Sequence, residues 1–168
     1  MQVRCFSLRV LFATFALAAI LFAVPQSSAQ FSGNRASSES ALSIPQSQLI
    51  QADVLNRMVM VGGVQKPVVL QVGSRLMYSQ AHIAGAMYAG PGSEASGLRS
   101  LRNTVMPMPR NKFIVLYCGC CPWNHCPNVG PAYKTLHDLG FTHVKVLYLA
   151  NNFGDDWVNK GYRVERGQ

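Results

Sequence analysis

The hydrophobic positions change period several times along the chain, and each change marks an element. From Val10 to Val24 there is no charge; Arg4 and Arg9 precede this run and Ser27-Ser28-Ala29 follows it. Its 15 residues fall short of the ~20 that span a bilayer. A basic start, an apolar middle and a small-residue end are the layout of a cleavable secretory signal. Residues 1–29 are expected to be a signal peptide cut after Ala29, which makes the protein an exported one, periplasmic or secreted. The small and polar stretch 30–42 has little to bury and reads as a flexible leader. The folded domain is expected over 43–168.

Within that domain, Leu49, Ile50, Val54, Leu55 and Met58 recur at helical spacing and predict an amphipathic helix over Gln46–Met60, ended by Gly62-Gly63. Pro67–Val72 is a β-branched run that suits a buried strand. Ser79–Met87 has no clean period, and Gly90-Pro91-Gly92 is a turn. A second helix is expected over Glu94–Val105, broken by Pro107 and Pro109. Phe113–Tyr117 is the most apolar run of the domain and is expected to be a central parallel strand, with Cys118 at its carboxyl end. Pro127–Leu139 carries Val129, Ala132, Tyr133, Leu136 and Leu139 on one face, with Gly140 just past the helix end; Pro127 and Pro131 fit only in the first turn. His143–Leu149 is a further strand and Asp155–Lys160 a short helix closed by Gly161. Strands alternating with helices predict an α/β fold with a mostly parallel sheet. There is no internal repeat.

Composition supports one domain: 168 residues, 49% hydrophobic and 13% charged, fill a single core and little more. The net charge of +8 falls to +6 once Arg4 and Arg9 leave with the signal. The remaining cations are scattered and form no Lys/Arg block interleaved with aromatics, so no nucleic-acid partner is expected. A balance of this size favours small anions near the surface. After cleavage no membrane partner is expected.

Candidate chemistry is concentrated in one loop. Of five cysteines, Cys5 belongs to the signal, and the other four, Cys118, Cys120, Cys121 and Cys126, lie within nine residues. Structural disulfides in exported domains staple distant segments. These thiols would close only tiny loops, and a Cys120–Cys121 bridge would be strained. Clustered thiols therefore mean chemistry or metal. Cys118 sits where a parallel strand ends and a helix begins, a position rich in free N–H groups that favour a thiolate. The helix dipole supplies only ~0.3–1 kcal/mol, less than the about 1.4 kcal/mol that moves a pKa by one unit. Loop N–H groups must add to it, and Gly119, Asn124 and Asn128 are compatible with such a nest.

Ala81-His-Ile-Ala-Gly-Ala86, Ile114-Val-Leu-Tyr-Cys118, and the segment Phe153–Tyr162 with Trp157 and Gly161 resemble three segments of the rhodanese-like (sulfurtransferase) family: its GHIPGA turn, its strand ending in the catalytic cysteine, and its closing tryptophan and glycine. The resemblance covers roughly residues 43–167. It implies a single rhodanese-like domain with a mostly parallel five-stranded sheet flanked by helices, and a Cys118 thiolate that takes the outer sulfur of a small anionic donor such as thiosulfate. The persulfide so formed would pass its sulfur to a thiol or cyanide acceptor. No cofactor is implied. The chain departs from the family pattern in two places. Gln71 and Gly73 stand where an aspartate and an arginine are usual, so that polar bracing is expected to be lost. The loop Cys118-Gly-Cys-Cys-Pro-Trp-Asn-His-Cys-Pro127 contains no arginine, which argues against the phosphatase relatives and marks an exported subgroup.

Gly119, Cys120, Cys121, Trp123, Asn124, His125 and Cys126 form the candidate active-site loop around Cys118. Two other chemistries suit the same text. In an oxidising space Cys118 would pass oxidation to Cys120, Cys121 or Cys126 as a thiol-disulfide relay, and a thiol reductant would then be a partner. Alternatively Cys118, Cys120, Cys121, His125 and Cys126 supply soft ligands for Cu(I) or Zn(II), although their order lacks the distant second pair of the usual zinc site. C-x-x-C-H occurs nowhere, which excludes haem attachment. His82 is expected to bond backbone in its turn, His137 and His143 to lie on the surface, and Trp123 to anchor the loop. Trp157 and Tyr162 are expected in the core.

Overall fold

A computed structural model describes residues 44–63 and 66–167. The expected signal peptide and leader lie outside the described residues. In chain order the elements are β1 (Leu49–Ile50), α1 (Ala52–Val61), β2 (Val68–Gln71), α2 (Arg75–Gln80), β3 (His82–Ile83), β4 (Met87–Tyr88), α3 (Ala95–Val105), β5 (Ile114–Tyr117), α4 (Val129–Asp138), β6 (Val144–Leu147) and β7 (Val164–Glu165). Five strands make one parallel sheet in the order β1-β6-β5-β2-β4. A separate antiparallel pair, β3 with β7, joins His82 to Glu165 and Ile83 to Val164.

The expected central strand is β5, third of the five and buried at every position. Its alternation divides the core into two layers, because successive side chains of a strand point to opposite faces. Ile114 and Leu116 pack with Leu101, Val105, Ala132 and Leu136 of α3 and α4. Val115 and Tyr117 pack with Leu55 and Val59 of α1 and with Trp157. Burying each such side chain contributes roughly 1.5–3 kcal/mol. The sheet is thus an α/β layer with helices on both faces, and Cys118 continues on the α3/α4 side.

The helices over Glu94–Val105 and Pro127–Leu139 are present, the second shorter than expected, since Pro127 precedes it and only Pro131 lies in its first turn. Gly140, at φ 81°, ends α4 as expected. Other expectations are corrected. Leu49 and Ile50 belong to a strand and not to the first helix, because they pair with Val146 and Leu147 at the edge of the sheet; the helix begins only at Ala52, after an extended Gln51. The aperiodic stretch around residue 80 resolves into the end of α2, whose N-terminus is capped by Ser74 Oγ accepting the Met77 N–H, then β3 and β4. The short helix expected over Asp155–Lys160 is a π-helical turn over Gly154–Val158. Asp156 accepts from Asn151 N–H at 2.7 Å and sets this turn against the preceding loop, and fully buried Trp157 donates Nε1–H to Arg163 O at 3.1 Å.

Candidate functional site

Cys118 is the first residue past β5, and three neighbouring segments wall its sulfur. The first is the end of β2. Gln71 Nε2 donates to Cys118 O at 3.3 Å, so the amide of Gln71 does brace the strand end, contrary to the expected loss of polar support there. Gln71 Oε1 is buried without a partner. Two residues on, Gly73 has no side chain because none would fit: a Cβ there would stand 2.8 Å from Cys118 O and 3.1 Å from Cys118 Sγ.

The second wall is the start of α4. Asn128, buried at the helix cap, donates Nδ2–H to Cys118 Sγ at 3.2 Å and reaches Cys120 Sγ at 3.9 Å. Its Oδ1 accepts the Ser93 N–H at 3.0 Å, which fixes which end of the amide faces the sulfur. The expected nest of backbone N–H groups around Cys118 is therefore replaced by a side-chain donor. The backbone amides of Asn128 and Val129, at the α4 terminus, face Cys126 instead.

The third wall is the cysteine loop itself. Gly119 takes φ 84°, and a Cβ on it would meet Phe153 Cβ at 2.8 Å. This left-handed step turns the chain so that Cys120 Sγ lies 2.9 Å from Cys118 Sγ; Cys121 Sγ lies 2.9 Å beyond Cys120. The sulfurs of Cys118, Cys120 and Cys126 fall within 4.8 Å of one another. All four thiols are free.

Such crowding admits one negative charge readily and a second with difficulty. Hydrogen bonds from Cys118 and Cys126 hold Cys120 down at about 2, so Cys120 is the thiolate of the resting cluster. The contact with Cys120, then that with Cys126, then burial push Cys118 far up, and it keeps its proton. Burial, with the Cys120 contact, pushes Cys121 up to about 12. Cys126 is pulled down by Cys118, but the Cys120 contact and burial leave it raised. The proton of Cys118 thus faces a thiolate 2.9 Å away.

Cys118, Gly119 and Cys120 open on a cavity of about 380 Å³ that is also lined by Gln71, Tyr117, Asn152 and Phe153. Apart from the Cys120 sulfur, its lining carries no acidic or basic side chain. Burial raises the Tyr117 phenol, whose oxygen accepts the Ile83 N–H at 3.1 Å, and this ties the turn after α2 to the floor of the site.

The remaining expected site residues are placed around this centre. Trp123 is half-buried against the α3/α4 core and tilted on Tyr148 at 5.5 Å, an anchor as expected. Asn124 and His125 are exposed and bond each other at 2.8 Å; His125 is not in the sulfur group. His82 bonds Tyr78 O through Nδ1 at 2.8 Å, and His137 and His143 are exposed. Gln71, Gly73 and Phe153 are the neighbours that the sequence reading did not assign to the site. A glycine two residues past a buried strand was the signal for Gly73.

No family model and no curated protein sequence matches the chain. Solved structures do match. The rhodanese-like domain of the Alr3790 protein from Anabaena sp. is 22% identical, with a TM-score of 0.52 over 71% of this chain and 79% of that one. A crystal structure of the Alr3790 protein is 24% identical, with a TM-score of 0.53 over 70% and 92%. The BH2092 protein from Bacillus halodurans is 23% identical, with a TM-score of 0.56 over 71% and 77%. The fold is that of rhodanese-like domains.

Proposed function

We propose that this rhodanese-like scaffold is a sulfurtransferase whose nucleophile is Cys118. The observation that carries the reading is the position of Cys118 Sγ, at the carboxyl end of the central strand, on a cavity, with Asn128 Nδ2 at 3.2 Å and Cys120 Sγ at 2.9 Å. The Cys120 thiolate takes the Cys118 proton as Cys118 attacks the outer sulfur of a small donor, for which thiosulfate is the probe. The sulfur–sulfur bond of the donor breaks with its electron pair going to sulfite, and Cys118 keeps the outer sulfur as a persulfide. Asn128 stabilises the negative sulfur that develops, as an oxyanion-hole donor does for oxygen. A thiol or cyanide acceptor then removes the sulfur and returns the thiolate. In an exported protein an attendant thiol reductant keeps the loop reduced. The test is mass spectrometry of the reduced protein after thiosulfate: one added sulfur, absent from Cys118→Ser, supports the reading, and no adduct on the wild type overturns it.

A second reading rests on the proximity of the Cys118, Cys120 and Cys126 sulfurs. Three thiolates so placed suit a Cu(I) or Zn(II) ion. Purification without chelator and metal analysis test it: a stoichiometric ion lost in Cys126→Ser favours this module, and metal-free protein rejects it.

A further inference from the structure

We infer that the sulfur accepted on Cys118 is handed to Cys120, and that Cys120 is the residue from which it leaves the protein. The inference rests on the sulfurtransferase reading and adds a second catalytic thiol to it. Cys118 is 3% exposed. Gly73 closes one side of its sulfur and Asn128 another, so a donor of a few atoms reaches it through the cavity, whereas an acceptor thiol borne on a protein does not. Cys120 lines the same cavity but is exposed to solvent. One glycine separates the two cysteines, and its left-handed φ of 84° folds Cys120 back until the sulfurs are 2.9 Å apart. Asn128 Nδ2 lies within reach of both, at 3.2 and 3.9 Å, and so can stabilise negative charge on whichever sulfur carries it. Cys121 does not line the cavity, which makes Cys120 the end of the relay.

The step balances without an outside oxidant. Once Cys118 holds the outer sulfur, that sulfur, formed as a persulfide anion, takes a proton from solvent; Cys120 then releases its own proton to solvent and attacks the outer sulfur. The bond between Cys118 Sγ and the outer sulfur breaks, and its electron pair stays on Cys118 as a thiolate. A new bond joins the outer sulfur to Cys120 Sγ, and the outer sulfur keeps its proton. In-line attack needs Cys120 Sγ to swing out of its present contact, which an exposed side chain does by rotation about χ1. Attack on the inner sulfur would instead expel hydrosulfide and close a disulfide across a single residue. The inner sulfur is walled in, and the outer one projects into the cavity.

The test loads reduced full-length protein with thiosulfate, traps it by alkylation and locates the added sulfur by fragmentation of the peptide that spans Cys118 to Cys126. The wild type should carry the sulfur on Cys120, and Cys118→Ser and Cys118→Ala should carry none. Cys120→Ser should hold it on Cys118, and its ratio of transfer rates, to reduced thioredoxin over cyanide, should fall at least about tenfold, because the bulky acceptor has lost its point of access. Thermal unfolding checks that each variant is folded. Sulfur that stays on wild-type Cys118 throughout, or an unchanged rate ratio in Cys120→Ser, overturns the relay and leaves the sulfurtransferase reading standing. So does loading of Cys120 in folded Cys118→Ala, or release of hydrosulfide with loss of two hydrogens. Protein that takes up no sulfur in any form overturns both.

Discussion

Asn128 is held from both ends, its oxygen by the Ser93 N–H at 3.0 Å and its nitrogen against Cys118 Sγ at 3.2 Å. Asn128→Asp keeps the size and the Ser93 contact but turns the donor into an anionic acceptor facing the sulfur. Sulfur uptake from thiosulfate should fall at least about tenfold, since like charge disfavours the thiolate. Asn128→Leu should lose uptake as well, and about 1–3 kcal/mol of stability, because the Ser93 N–H is left unpaired. Single-turnover sulfite release and denaturant unfolding read the two effects. Uptake by Asn128→Asp at the wild-type rate would remove Asn128 from the mechanism.

Gly73→Ala tests the closed floor. The added Cβ meets Cys118 O at 2.8 Å and Sγ at 3.1 Å, and its neighbours on the strand ends have little room to yield. Stability should drop by about 1–3 kcal/mol, as overpacking does, and the displaced sulfur should load more slowly. Urea unfolding together with persulfide yield checks both. A stable variant that loads normally would mean that the strand ends move apart easily.

Gly119→Ala strains the loop by a different route. It demands a left-handed conformation of a residue with a Cβ and sets that atom 2.8 Å from Phe153 Cβ. A cost of about 1–3 kcal/mol is expected, with Cys120 displaced from Cys118. The displacement is read as a change in which cysteine iodoacetamide labels first.

The thiol cluster gives stability two opposed dependences on pH. Cys121 is raised to about 12, so the folded chain keeps its proton where the unfolded chain loses it near ~8.5; stability is full below ~8.5 and declines from there up to about 12. Cys120 is lowered to about 2, so its contribution is full above ~8.5 and declines as pH falls toward about 2. Thermal unfolding under reductant, from pH 4 to 10, should show the alkaline decline flattened in Cys121→Ser and the acid decline flattened in Cys120→Ser. Iodoacetamide at pH 5 should modify Cys120 first, because it is both ionised and exposed.

What local pattern controls can be read from the hydrophobic periods of the chain. A run such as Ile114–Tyr117 has no place but the sheet interior, and Cys118 follows it directly, so the strand, the cysteine at its end and the following helix were all legible. Leu49 and Ile50 misled, because their spacing also fits a helix and only pairing with Val146 and Leu147, far along the chain, makes them a strand. The same holds for β3 and β7, two residues each, too short to have a period. In the site, Cys120 and Cys126 could be named from their spacing, but a loop's fold is set by contacts and not by period. Which sulfur carries the charge therefore emerged only with the distances. Gln71 read as a missing aspartate; its amide bond to the Cys118 carbonyl is visible only when the two strand ends lie side by side.

The place of β5 in the sheet carries a consequence for durability. With β6 on one flank and β2 on the other, the strand that ends in Cys118 is expected to open only when the whole domain does. Fraying of the outermost ladders, at β1 or β4, leaves its reactive tip in register. The amides of β5 should therefore be among the last of the protein to exchange, and heat or denaturant should abolish Cys118 reactivity in one step with the fold, never ahead of it.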